Sequence, residues 1–140
     1  MTMPVELTVL AVIALMAASL WIPYIVGVNT APKGSLPADA PDGFVRIANP
    51  ALQRPWVQRA YRAHLNLLEQ GMPFAILVLL ADRADAFGPL TLWTSVAFLV
   101  LRVAHAVGYI TAGARLPLRP LIFVGGWLCC LAMGFAVLAA

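Results

Sequence analysis

The stretch RAYRAHLNLLEQGMPF, Arg59 to Phe74, decides how this chain reads. It opens an apolar run that continues to Ala81, yet it carries Arg59, Arg62, Asn66, Glu69 and Pro73 at spacings of three and four residues. In a helix, such spacing lays all five on one stripe. A second stretch, RVAHAVGY from Arg102 to Tyr109, does the same with Arg102, His105 and Tyr109. Each segment is apolar around most of its circumference and polar along one line.

Working outward, the 140 residues are 62% hydrophobic and only 11% charged. A chain this small leaves a large share of its surface outside any core. So much apolar surface cannot all be buried, and the excess must face lipid. Composition therefore excludes a soluble enzyme and a disordered tail.

Four spans account for most of the chain, at roughly 5–28, 59–81, 87–110 and 118–140. Each is long enough to cross about 30 Å of hydrocarbon. The first carries Glu6 where a signal peptide would have basic residues, so it reads as a retained helix, anchored by Trp21, Pro23 and Tyr24. The one long connection, 29–58, holds Pro32, Pro37, Pro41, Pro50 and Pro55 and reads as an irregular loop. The chain is thus one all-α membrane domain. Lys33, Arg46, Arg54, Arg59, Arg62, Arg115 and Arg119 cluster on the first and third loops, against Arg83 alone on the other side. The positive-inside rule then places loops one and three in the cytoplasm and both termini outside. Eight arginines to one lysine suggest a GC-rich bacterial source, hence a bacterial cytoplasmic membrane.

Ionisable residues within a span usually face the interior of the bundle and mark function. A short turn centred between Asp85 and Ala86 makes the second and third spans an antiparallel hairpin. It sets Arg62 level with Tyr109, Asn66 with His105 and Glu69 with Arg102. Those residues describe a polar pocket, with Arg115 and Arg119 near its mouth. A structural alternative is an ion pair of Glu69 with Arg102, with Asn66 and Tyr109 as interhelical hydrogen-bond partners. The excess of arginine over the single Glu69 favours a site completed by an anionic or zwitterionic guest. A bis-histidine haem site is disfavoured, because His64 faces away from the stripe that His105 would have to share with it. The adjacent Cys129 and Cys130 fit neither a zinc site nor a disulfide framework, so no metal is expected. No basic run interleaved with aromatics points to nucleic acid.

These two stretches, with RPLIFVGGW from Arg119 to Trp127, resemble the MAPEG family, the membrane-associated proteins in eicosanoid and glutathione metabolism. The resemblance spans the whole chain. It implies a homotrimer of four-helix subunits with glutathione as co-substrate, bound between subunits near the cytoplasmic face. It also implies a transferase or peroxidase that attacks hydrophobic electrophiles taken from the lipid. Carried over by position, Arg62, Asn66 and Glu69 would hold the carboxylates and amine of glutathione. Tyr109 would add a contact, and Arg102 and His105 belong to the same pocket. An arginine at the start of the fourth helix would stabilise the thiolate; Arg119 fits by the residues that follow it, with Arg115 as the alternative. Gln58 stands where many members have glutamate, and His105 where some have tyrosine. The family also includes a non-catalytic relative, so the alternative function is lipid or partner binding on the same fold.

Overall fold

Proline and glycine punctuate the helices. The computed structural model describes residues 2–32, 49–113 and 117–140. Helix α1 is Val5–Ser19, α2 Ile22–Asn29, α3 Pro55–Arg83, α4 Pro89–Ile110 and α5 Leu118–Leu138, with a 3-10 turn at Pro50–Leu52. Pro55 and Pro89 stand in the first turns of α3 and α4, where a missing N–H leaves no bond unmade. Among the described residues there is no strand. Four segments are long and apolar enough to span a membrane: Val5–Asn29 (α1 with α2), Pro55–Arg83, Pro89–Ile110 and Leu118–Leu138.

Two boundaries differ from those read in the sequence. The first span is not one unbroken helix over 5–28, because Pro23 offers no N–H to the Ser19 carbonyl. The chain breaks at Leu20 and Trp21, and the Trp21 indole N–H donates to Ala18 O at 2.7 Å across the break. The second span starts at Pro55 and not at Arg59. Its first turn is held by tertiary contacts: Trp56 and Val57 close over Gly27, where a side chain would collide with both. Arg54 Nη2 also donates to Gly27 O at 2.9 Å. The irregular connection expected to reach residue 58 therefore ends earlier. Lys33, Arg46 and Arg115 lie outside the described residues.

The bundle sorts its residues along its length. One half packs an apolar core of Val9, Ile13, Leu67, Phe74, Val78, Phe98, Cys129 and Met133. Phe74 of α3 stacks on Phe98 of α4 with ring centroids 3.9 Å apart, which fixes the α3–α4 hairpin side by side. Its turn passes through Asp85 in the left-handed region at φ 50°, a conformation that Asp tolerates better than most residues. Ala86 lies midway in sequence between Arg83 and Pro89, half a residue past the centre read between Asp85 and Ala86. The opposite half of the bundle holds the polar residues. Large apolar side chains such as Leu15, Trp93, Phe135 and Leu138 stay exposed on the outside, as a lipid-facing surface would have them.

At the apolar end one carboxylate is buried. Glu6, in the first turn of α1, is 4% exposed. It accepts a hydrogen bond from Thr91 Oγ1 at 2.8 Å, and Gly88 N donates to that same hydroxyl at 2.8 Å. The carboxylate thus sits where the first turns of α1 and α4 meet, a favourable place for negative charge. Thr91→Val strands it, and we expect a loss of about 1–3 kcal/mol of stability. Thermal unfolding in detergent would show this as a lowered Tm; an unchanged Tm would mean that the hydrogen bond contributes nothing.

Candidate functional site

The polar half of the bundle holds an open cavity of about 460 Å³ lined by Arg62, Asn66, Glu69, His105, Arg119, Pro120, Phe123 and Val124. Its three walls have separate sources. Arg62, Asn66 and Glu69 come from one stripe of α3, as their spacing requires. His105 comes from α4, and the rest come from the first two turns of α5. A second chamber of about 290 Å³ adjoins it, lined by Pro55, Gln58, Arg59, Arg62 and Tyr109. Arg62 lines both. Arg59 Nε donates to Ile110 O at 3.2 Å, which ties the first turns of α3 to the end of α4.

Arg119 is the best-held cation in the cavity. Its Nη2 donates to the Tyr109 hydroxyl at 2.5 Å, and its guanidinium carbon lies 4.2 Å from the centroid of the Tyr109 ring. Tyr109 in turn stacks against His105 at 5.3 Å. One arginine is therefore fixed by a hydrogen bond and by a cation–π contact to the same residue. Pro73 adds a local effect on α3. It has no N–H, so the Glu69 carbonyl lacks its usual helical donor beside the cavity.

Of the residues singled out in the sequence, Arg62, Asn66, Glu69, His105 and Arg119 come together in the main cavity. Tyr109 lines the second chamber and holds Arg119. Arg102 lines neither. It is 1% exposed, packs over the Phe98 ring at 5.4 Å and donates from Nη2 to Ile122 O at 3.1 Å. The residue beside it is Gln70 and not Glu69: a side chain on Gly126 would run into both Arg102 Nη2 and Gln70 Oε1. The half-residue offset of the hairpin centre shifts the level partner by one position and accounts for the exchange. Glu69 is left exposed on the cavity wall, and the Glu69–Arg102 ion pair is not formed. Arg115 lies outside the described residues.

Sequence reasoning missed Gln70, Phe123 and Val124. Gln70 follows Asn66 by four residues, so the helical period could have found it. Phe123 follows Arg119 by four, on the same face of α5. Neither carries a charge, and that is why they escaped notice.

Charge in the cavity is unbalanced. Arg62 and Arg119 face one carboxylate, Glu69, and Arg59 adds a further cation in the adjoining chamber. Such an arrangement can take a guest with two or more acidic groups, one cationic group and a further group that gains by becoming an anion. Tyr109→Phe removes the acceptor that holds Arg119. A double-mutant cycle with Arg119→Leu should give a coupling of about 1 kcal/mol in unfolding stability; a coupling of zero would mean that the contact is incidental.

Comparison with known proteins gives one family. A model of the MAPEG family matches residues 8–139 of the 140-residue chain. No curated protein matches it.

Proposed function

From the premise that the chain belongs to the MAPEG family, matched over residues 8–139, we propose that it is a glutathione-dependent transferase or peroxidase acting within the membrane. The observation that carries this reading is the charge pattern of the cavity, with Arg62 and Arg119 set against Glu69. Glutathione has two carboxylates, one ammonium and one thiol. Arg62 would pair with a carboxylate, Glu69 with the ammonium, and Asn66 and His105 would hydrogen-bond along the peptide. The second chamber, with Arg59, offers room for the other carboxylate. Arg119 remains for the sulfur.

The chemistry follows from that placement. A free thiol has a pKa of about 8.5, and its thiolate is the nucleophile. A guanidinium within hydrogen-bond reach favours the anion and lowers the pKa. Arg119, steadied by Tyr109, is the catalytic residue in this reading. The thiolate sulfur gives its lone pair to an electrophilic carbon, forming a thioether as the leaving group departs; an epoxide opens instead, and its oxygen takes a proton from water. With a hydroperoxide, the thiolate attacks the terminal oxygen, the O–O bond breaks and the alkoxide leaves as the alcohol after taking a proton from water; the thiol of a second glutathione then displaces water from the resulting sulfenic acid to give the disulfide. The apolar wall of Phe123 and Val124 would face the hydrophobic substrate, which enters from the lipid. Arg102 acts behind the cavity and not on glutathione directly.

Arg62 and Glu69 are exposed in the single chain, so the cavity is open along one side. A homotrimer, as the family resemblance implies, would close that side with a neighbouring subunit.

Arg119→Ala should lower kcat for conjugation of an aryl halide by about a hundredfold or more, the usual cost of removing a donor aimed at developing negative charge. The oligomer should persist on size exclusion. Glu69→Gln should weaken glutathione binding about tenfold, or ~1.4 kcal/mol, with a smaller effect on kcat. Full activity in Arg119→Ala would remove that residue from the mechanism, and activity without glutathione would overturn the reading as a whole.

A further inference from the structure

Behind the cavity, two buried side chains reach across to a third helix. Gln70 of α3 donates from Nε2 to Phe123 O at 3.0 Å. Arg102 of α4 donates from Nη2 to Ile122 O at 3.1 Å. The two acceptors are consecutive carbonyls of α5. Both already serve α5 as helical acceptors, and a carbonyl oxygen has a second lone pair to offer. Gln70 is 6% exposed and Arg102 1%. The space they occupy exists because residue 126 is glycine: a Cβ there would meet Arg102 Nη2 and Gln70 Oε1. Gly126 is four residues past Ile122 and three past Phe123, so the gap lies directly beneath the two carbonyls.

This is costly for a structure in lipid. Arg102 Nε and Nη1 and Gln70 Oε1 are buried and have no hydrogen-bond partner among the described residues. A helix bundle whose only need was stability would fill the place with apolar residues, since a buried uncompensated charge is unfavourable. What the two side chains do supply is a fixed height for α5. In hydrocarbon no hydrophobic force sets the depth of one helix against another, and small residues with interhelical hydrogen bonds take over that task. The gripped carbonyls lie one turn from Arg119, and Phe123 itself lines the cavity. A slip of α5 by one residue would move the root of Arg119 by about 1.5 Å, enough to misplace a guanidinium against a sulfur.

We propose that Gln70, Arg102 and Gly126 form a clamp that sets the depth of Arg119, making Gln70 and Arg102 positioning residues for the thiolate. The inference rests on the transferase reading above and adds residues that do not touch glutathione. Tyr109 fixes the head of Arg119, and the clamp fixes its root.

The test compares wild type with Gln70→Leu, Gln70→Glu and Gly126→Ala, all in lipid nanodiscs. Leu keeps the size of Gln70 but lacks the N–H donor. Glu also lacks it, yet supplies a carboxylate that could neutralise Arg102 and draw it off Ile122. Ala at position 126 drives both side chains from their places. Two readouts are taken from each folded variant. The first is the pH midpoint of the glutathione thiolate absorbance, together with the Kd for glutathione. The second is hydrogen–deuterium exchange of the peptide covering residues 118–128, which needs no ligand. The clamp predicts a midpoint raised by about one pH unit in all three variants, with Kd changed less than about threefold. It also predicts exchange in 118–128 accelerated at least tenfold, with α1 unaffected. If Gln70→Glu keeps the wild-type midpoint, the pair serves charge balance and not positioning, and the proposal falls. It falls equally if Gln70→Leu and Gly126→Ala keep both the midpoint and the slow exchange. A wild-type protein that binds no glutathione would overturn the transferase reading; unchanged exchange in the variants would then overturn the clamp separately.

Discussion

The hydrogen bonds from α3 and α4 to the backbone of α5 carry the geometry on which the rest depends. Apolar helices in lipid can slide past one another at little cost, and polar contacts give them a definite register. Phe74 against Phe98 joins α3 to α4 in the apolar half. Gln70 and Arg102 join both to α5 in the polar half. Arg59 closes the same end by bonding Ile110 O. The cavity lies among these ties, so its walls come from three helices held at fixed relative heights. Arg119 meets Tyr109 because the register of α5 against α4 brings the two side chains within hydrogen-bond reach.

Charge explains why the cavity sits at one end. Cations in the middle of a bilayer are expensive and settle where they can reach partners or the interface. Arg59, Arg62 and Arg119 lie in the outer turns of their helices, bordering the two chambers. Arg102 is the exception, buried deep and tied to a carbonyl. The buried carboxylate at the other end, Glu6, has its own donor in Thr91 and so does not compete for the arginines. Separating the two charged regions by an apolar core leaves the positive excess of the cavity unneutralised by the protein.

Much of this was legible in the sequence. Lipid-facing composition and four long apolar runs gave an all-α membrane protein, and the three-and-four spacing of Arg62, Asn66 and Glu69 placed them on one wall. Level pairing across the hairpin brought His105 and Tyr109 to the same region. The pairing failed at Glu69 and Arg102, because a turn centred half a residue later shifts each level partner by one position, and Gln70 replaced Glu69. The break at Leu20 and Trp21 follows from Pro23, whose missing N–H was visible but was read as an interfacial feature. The early start of α3 was not visible at all: it depends on Trp56 and Val57 closing over Gly27, which lies on another helix, far from them in sequence. The role of Gly126 was hidden for the same reason, since its need for an absent side chain arises from Gln70 and Arg102 on other helices.

In the function we propose, the excess positive charge of the cavity holds a glutathione thiolate. The most direct measurement is titration of the detergent-purified protein with glutathione at neutral pH, followed by ultraviolet difference absorbance of the thiolate. A saturable thiolate signal is expected at a pH where free glutathione is mostly protonated. Saturable binding with no thiolate, or no binding from a folded oligomer, would contradict it.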